Sequence, residues 1–413
     1  MAVIPGEWTK NPAIVNLRSN GLFTQGVPYA EFKTLRDEYP LYWNPEPEGF
    51  PGFWNVTRHE DVTAVSLDTD TFCSGEGINM YYPNEMPQDI IKAINSGSMI
   101  TLDPPMHTAY RKVASPFFTL NAVQKLADRI RTITTDILDD VARRGEFDFM
   151  ADVAAPLPIK ILCDIMGVPK SDEHQIFDWS NKAVGVDDPE FNESAEDATV
   201  NLMQIFAYGQ QLAEDRRKNP GSDLMSAMVH AKPEGEPIPQ YLMDGFFLLM
   251  VIAGNETTRN SISGGMQALI ENPDERQKLI DNPDLIPTAV EEILRWISPV
   301  MHMRRTATKD TQLHDIDIAE GDKVVMWYPA ANRDDRVFDD PETFNVTRQP
   351  NDHIAFGIGR HRCLGARLGQ LQLNIMFTEL LKRFPNMELT GPIRRVRTNF
   401  INGIKTMPVR VNN

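Results

Sequence analysis

Apolar positions recur at helical spacing over most of the chain. Between Tyr29 and Tyr39, Phe32 and Leu35 fall i, i+3 on a helix that Pro40 stops. Gly52–Arg58 alternates as a strand does and leads into a short helix at Glu60–Ser66. The loop over 68–102 carries several Gly and Pro but also Ile78, Met80, Tyr81, Tyr82, Met86, Met99 and Ile100, the make-up of a lid or binding loop. From Pro105 to Ala231 helical patterns follow one another, broken near Pro156 and Pro158, at Pro169, across Asp187–Asp197 and at Asn219-Pro-Gly221, after which Asp223 reads as a helix cap. Within Pro239–Glu271, residues Phe246–Ala253 are apolar on every side, which predicts a buried central helix. Helices at Pro273–Asp281 and Pro287–Ile297 come next. Beyond Pro299 the pattern changes to strands, at Asp315–Ile318 and Lys323–Tyr328 around a Glu320-Gly321 turn, and a last helix at Gly365–Phe384 precedes a strand-like tail. The expected fold class is mainly α with a smaller β-rich region: a helical core over about 105–298 and 365–384, and β-rich parts over about 40–70, 300–330 and 386–413.

Charge narrows the function classes. With 58 acidic and 41 basic residues among 413, the formal charge is −17, which disfavours nucleic acid as the main partner, because polyanions are held by clustered Lys and Arg. No apolar run approaches the ~20 residues of a membrane helix, and the first residues lack a signal-peptide layout. The expectation is therefore a cytoplasmic protein without a membrane anchor. Cys73, Cys163 and Cys363 are too few and too scattered for a disulfide framework or a CxxC zinc site. Cys163, in Ile161-Leu-Cys-Asp-Ile165, reads as core, and Cys73 offers nothing specific.

Four groups of residues carry chemistry. In Phe356-Gly-Ile-Gly-Arg-His-Arg-Cys363-Leu-Gly365 the glycines allow a tight turn and close approach to something flat. The thiol stands just before a helix, whose N-terminal N–H groups stabilise a thiolate. A lone cysteine in a glycine turn is more often structural, but the complete ten-residue pattern suits a sulfur ligand to iron. Ala253-Gly-Asn-Glu-Thr-Thr258 puts polar residues into the apolar helix. Burying Glu256 is costly unless it is paired, and Gly254 costs a helix about 1 kcal/mol, so a site is expected there. Taken alone, the same residues also suit a buried salt bridge beside a packing threonine. Glu292 and Arg295 share a helix face at i, i+3, a weak signal by itself. His107 and Arg111 share another face, and with Arg305 and His361 they would make a basic patch able to hold two carboxylates of a cofactor; a solvated basic face explains each equally well.

Taken in order, HxxxR, AGxETT, ExxR, the stretch Ala331–Phe344 and FGxGxHxCxG resemble the cytochrome P-450 family of haem-thiolate monooxygenases over essentially the whole chain. The resemblance implies that family's mostly helical fold as a single domain over 1–413, because residues near His107 and Cys363 would meet at one haem b. It implies Cys363 as the axial iron ligand and Phe356 as the residue shielding its sulfur, with Ala253, Gly357 and Gly365 against the haem. His107, Arg111, Arg305 and His361 would then partner the propionates. Glu256 and Thr257 match the acid and alcohol that relay protons, with Glu in place of the Asp of many relatives. Glu292 and Arg295, with Arg333, match the set that ties the Cys loop to the helical core. O2 would be co-substrate, and electrons would come from NAD(P)H through a ferredoxin reductase and a ferredoxin. Arg111, Lys112, Arg360, Arg362 and Arg367 are candidates for the ferredoxin dock. Nothing demands more than a monomer.

The family's pocket positions fall on Met99 and Ile100; on Leu249, Ile252 and Ala253; on Val300, Met301 and Met303; and on Phe400 and Ile401. An uncharged, largely aliphatic and thioether lining selects shape and apolar area. The phrases around 253–260, 301–306 and 402–405 look most like bacterial hydroxylases of sterol side chains and methyl-branched lipids, with terpenoid and alkane hydroxylases close. The favoured expectation is hydroxylation of an unactivated, terminal C–H of a terpenoid, steroid or branched aliphatic compound. Fatty acids, linear alkanes or small aromatics are the alternative substrates. A haem protein that binds or senses without turnover is the alternative class.

Overall fold

The structure is a computed structural model that describes residues 15–45, 52–80, 97–186 and 188–411. Its helices of seven residues or more are α1 (Tyr29–Glu38), α2 (His59–Leu67), α3 (Met106–Ala114), α4 (Ala127–Ala142), α5 (Pro156–Met166), α6 (Glu173–Val184), α7 (Ala195–Lys218), α8 (Leu224–His230), α9 (Gln240–Glu271), α10 (Pro273–Asp281), α11 (Ile286–Ile297) and α12 (Ala366–Arg383). Local signals set their ends. Proline stands at the first turn of α5, α10 and α11, where its missing N–H costs nothing, and the carboxylate of Asp223 accepts from Ser226 N at 2.8 Å to cap α8.

The organising element is α9. Its 32 residues span roughly 48 Å at 1.5 Å per residue, and α5, α6, α7, α11 and α12 pack around it. The apolar half buries Leu242, Phe246, Phe247 and Val251, and the polar half buries Asn255, Glu256, Arg259 and Asn260. The N-terminal half passes so close to the loop before Met99 that a Cβ on Gly245 would lie 2.1 Å from the Gly97 carbonyl oxygen.

The strands are β1 (Leu41–Asn44), β2 (Phe53–Val56), β3 (Phe72–Cys73), β4 (Glu146–Asp148), β5 (His302–Ala307), β6 (Thr311–Leu313), β7 (Ile316–Ile318), β8 (Lys323–Trp327), β9 (Glu388–Leu389), β10 (Arg394–Arg395), β11 (Ile404–Thr406) and β12 (Pro408–Arg410). Five of them form a sheet in the order β1-β2-β8-β5-β3, with β2 and β8 parallel and the other pairs antiparallel. Alternation along β8 divides two apolar clusters. Val324, Met326 and the following Tyr328 join Leu41, Trp54 and Val56 on one face; Val325 and Trp327 join Phe32, Tyr42 and Phe53 on the other.

The helical run expected over 105–298 is interrupted by β4, which pairs with β12 near the C-terminus; three residues are too few to show strand periodicity. The loop expected over 68–102 contains β3, paired with β5, and a single 3-10 turn at Met99–Thr101. Tyr81, Tyr82 and Met86 lie outside the described residues. Cys163 is buried in the helical core, as its apolar neighbours predicted.

Candidate functional site

Between α9 and the segment before α12 lies a cavity opening into about 1540 Å³ of space that no protein atom fills. One wall is the Cys363 loop. Gly357 and Gly359 take left-handed φ of 66° and 74°, which side chains with a Cβ adopt at a cost, and the Cys363 N–H donates to the Phe356 carbonyl at 2.8 Å. The chain then enters α12 through Gly365. Cys363 has an exposed side chain only because its surface faces the cavity, and Phe356, Gly357 and Gly365 line the same wall. Burial pushes its thiol up, while the Gly365 N–H and the guanidiniums of Arg111 and Arg362 pull it down. A positive ion at the sulfur would tip that balance to the thiolate.

At one edge of the cavity stand His107, Arg111, Arg305 and His361. The ring centres of His107 and His361 lie 4.1 Å apart, Ser74 Oγ is 3.2 Å from His361 Nε2, and the buried His107 Nδ1 has no hydrogen-bond partner among the described residues. Burial first, then the arginines, lowers His107 to about 4 and His361 to about 2, so both imidazoles are neutral. Arg305 is buried and donates to the Arg304 carbonyl at 2.9 Å; Arg111 donates to the Arg362 carbonyl at 2.5 Å. Neither arginine has a carboxylate within 4.0 Å among the described residues. A buried guanidinium (Arg305) and a half-buried one (Arg111) without nearby counter-charges fit an anionic ligand.

The opposite wall is α9. Thr257 faces the cavity with Ala253 one turn before it, and its hydroxyl donates to the Ala253 carbonyl at 3.0 Å. Glu256 does not reach the cavity wall. It is fully buried toward α6, where Ser180 Oγ donates to its Oε1 at 3.3 Å and Arg259 Nη2 stands 2.5 Å from its Oε2. That contact is close but poorly aligned for a hydrogen bond, so its attraction is mainly between charges. Burial outweighs Arg259 and Ser180 and raises the Glu256 carboxyl to about 7.

Of the expected pocket residues, Met99, Ile100, Leu249, Ala253, Val300 and Met303 meet on the cavity wall. The other four do not. Ile252 packs against the helical core, and Met301 is buried in the cluster with Trp327. Phe400 meets the His302 ring edge-on, and Ile401 is buried in a bridge to Val300. The reason is local. A step of one residue on a helix, or from Val300 into β5, turns a side chain to another face.

Comparison with known proteins decides what this arrangement is. Residues 121–402 match the family Cytochrome P450. The chain is 39% identical to the linalool 8-monooxygenase of Pseudomonas putida, covering 95% of this chain and 98% of the relative. It is 40% identical to the methyl-branched lipid omega-hydroxylase of Mycobacterium tuberculosis strain H37Rv, covering 92% and 90%. A Mycobacterium marinum cytochrome P450 solved in complex with pseudoionone superposes with a TM-score of 0.91 at 35% identity, covering 99% of this chain and all of the other. The chain is a cytochrome P450.

As such it is a monooxygenase that uses haem b and O2, with electrons from NAD(P)H delivered by redox partner proteins. The site fits that group. An electron-rich sulfur faces a cavity whose edge offers the unmatched cations Arg111 and Arg305 and the unpartnered nitrogen of His107. Among the described residues no helix is long and apolar enough to cross a membrane.

One expected assignment is overturned in the scaffold of this P450. Glu292 and Arg295, both without exposed surface, form a two-pronged pair at 2.7 and 2.8 Å. Their third member is Arg348, whose Nε donates to Glu292 at 3.1 Å. Arg333 instead pairs with Glu342 at 2.6 Å, its guanidinium 3.7 Å from the ring centres of Tyr29 and Trp296. The connection to the Cys loop runs through Asn332, whose carbonyl accepts from Arg295 at 2.8 Å and whose Oδ1 accepts from Ile354 N at 2.8 Å. Arg348 and Ser74 stand in no short motif, and Asn332, though in the stretch Ala331–Phe344, carries no signal of its own there. They meet the site only because the chain folds back on itself.

Proposed function

We propose that this P450, acting as one catalytic domain, hydroxylates an unactivated, terminal C–H of an apolar terpenoid, steroid or methyl-branched aliphatic compound with electrons from a ferredoxin. The observation that carries the substrate class is the wall around Thr257. Met99, Ile100, Leu249, Ala253, Val300 and Met303 are uncharged, and the charged residues on the cavity, Arg111 and Arg305, belong to the set that would hold the propionates. Such a wall rewards apolar area and shape more than polar contacts. The activities named for the relatives, on linalool and on methyl-branched lipids, lie within that class.

The haem, once bound, supplies O–O cleavage and C–H oxidation, with a thiolate ligand favouring the cleavage. The chain's residues do the rest. Cys363 would supply the sulfur that holds the iron, and its loop is held in place through Asn332 and the Glu292–Arg295–Arg348 set. His107, Arg111, Arg305 and His361 bind and orient the propionates. Thr257 presents a hydroxyl to the cavity, and Glu256 is the proton store behind it. Because the two side chains leave α9 in different directions, transfer between them requires water or a turn of the Glu256 side chain away from Arg259.

The deciding experiment is a titration of the ferric enzyme with terpenoids, sterols and branched alkyl chains, following the Soret shift that accompanies loss of iron-bound water. A tight response to one of these classes supports the proposal. A response confined to fatty acids or small aromatics would replace it.

A further inference from the structure

Tyr328 follows β8 and points its ring into the apolar cluster of Val324, Met326, Ala331 and Ile354. Phenylalanine would fill that space equally well. The hydroxyl therefore needs its own explanation, because burying one without a partner costs about 1–3 kcal/mol. Its oxygen has no hydrogen bond among the described residues. Tyr328 nevertheless reaches the cavity wall on the side of Arg305, His361 and Gly357, and its oxygen lies 3.8 Å from where a Cβ on Gly357 would stand. It is also close enough to Arg305 for each group to perturb the other's proton affinity. A phenol aimed at the space where the buried Arg305 and the half-buried Arg111 have no carboxylate within 4.0 Å among the described residues complements the same anion that they do.

We propose that Tyr328 donates a hydrogen bond through its hydroxyl to a propionate of the haem, as a positioning residue beside Arg305. The contact is charge-assisted and shielded from bulk water, the setting in which a hydrogen bond contributes most. It explains why a tyrosine stands at a place whose packing asks only for a ring. The proposal rests on haem filling the cavity, and the carbon monoxide spectrum of the same samples tests that separately.

The test uses full-length holoenzyme and the substitution Tyr328→Phe, which keeps the ring and removes the oxygen. Haem transfer to excess apomyoglobin should be on the order of tenfold faster in Y328F, the equivalent of one charge-assisted hydrogen bond. The ferric–ferrous potential should move to more negative values without substrate, because a propionate stripped of a donor stabilises ferric iron. Reconstitution with haem dimethyl ester should shrink the difference in haem release, since a neutral ester carbonyl accepts a weaker hydrogen bond than a carboxylate. Equal release and equal potential in the two proteins would overturn the proposal. So would a difference that survives esterification undiminished, or a loss of apoprotein stability large enough to account for the faster release.

Discussion

Glu256 and Thr257 are neighbours in the chain yet serve different sides of α9: the Thr257 hydroxyl faces the cavity, and the Glu256 carboxylate is buried against Arg259 and Ser180. A 100° step per residue enforces the separation, and it makes the pair separable by mutation. Replacing Thr257 by alanine removes the hydroxyl on the cavity wall and leaves the ion pair intact. Product formed per NAD(P)H consumed should fall by roughly 10- to 100-fold in T257A while haem content stays unchanged, measured by coupled product and cofactor assays.

Glu256 makes a pH prediction of the opposite kind. Its folded pKa is raised from 4.5 to about 7 by burial, so folded protein keeps a proton that the unfolded chain has already released. The stabilisation from holding the group neutral is complete below about pH 4.5 and is lost as pH rises through about 7. Urea midpoints of the parent should therefore drop relative to those of E256Q between pH 5 and pH 8. Parallel midpoints across that range would contradict the assignment.

Glu292 holds two guanidiniums in a buried site. Removing the carboxylate in E292A leaves Arg295 and Arg348 buried without their shared counter-charge and should cost about 3–5 kcal/mol, with loss of haem because the Cys loop hangs on the same network. R333A breaks a pair whose Glu342 is partly exposed and should cost less. Chemical denaturation and haem content of the two variants check the order.

That order was not legible in the sequence, where Arg333 stood in the motif-bearing stretch and Arg348 in none. Helices with strong periodicity and proline boundaries could be read closely: α10 falls on Pro273–Asp281 and α11 on Ile286–Ile297. The cavity wall around Cys363 and Thr257 was also visible, because those residues sit in dense local patterns. What was hidden depends on contacts between distant segments. The two-residue β3, the β4–β12 pairing, the Ser74–His361 contact and the turn of Ile252 and Met301 away from the cavity leave no periodic trace.

The basic residues on the Cys363 side make the ferredoxin proposal testable. Lys112, Arg360, Arg362 and Arg367 are exposed on a chain of net charge −17, so they stand out as a positive face. Reversing Lys112 and Arg367 to glutamate should raise the ferredoxin concentration for half-maximal turnover several-fold at low salt, with substrate-induced Soret shifts unchanged. Identical ferredoxin dependence would show that the partner docks elsewhere.

Gly245 tests the packing of α9 against the loop before Met99. A Cβ there meets the Gly97 carbonyl oxygen at 2.1 Å, and backbone cannot yield as a side-chain end does, so G245A should destabilise by about 1–3 kcal/mol and weaken binding of apolar ligands. Thermal midpoints and Soret titrations of the variant give both numbers.

Haem-thiolate chemistry in this chain depends on Cys363 as the sulfur that binds iron, and the reduced enzyme under carbon monoxide tests this most directly. A Soret band at the long-wavelength position specific to a thiolate ligand, lost in C363A, is the predicted result. A band at the position typical of an imidazole ligand, or a thiolate band that survives in C363A, would contradict it.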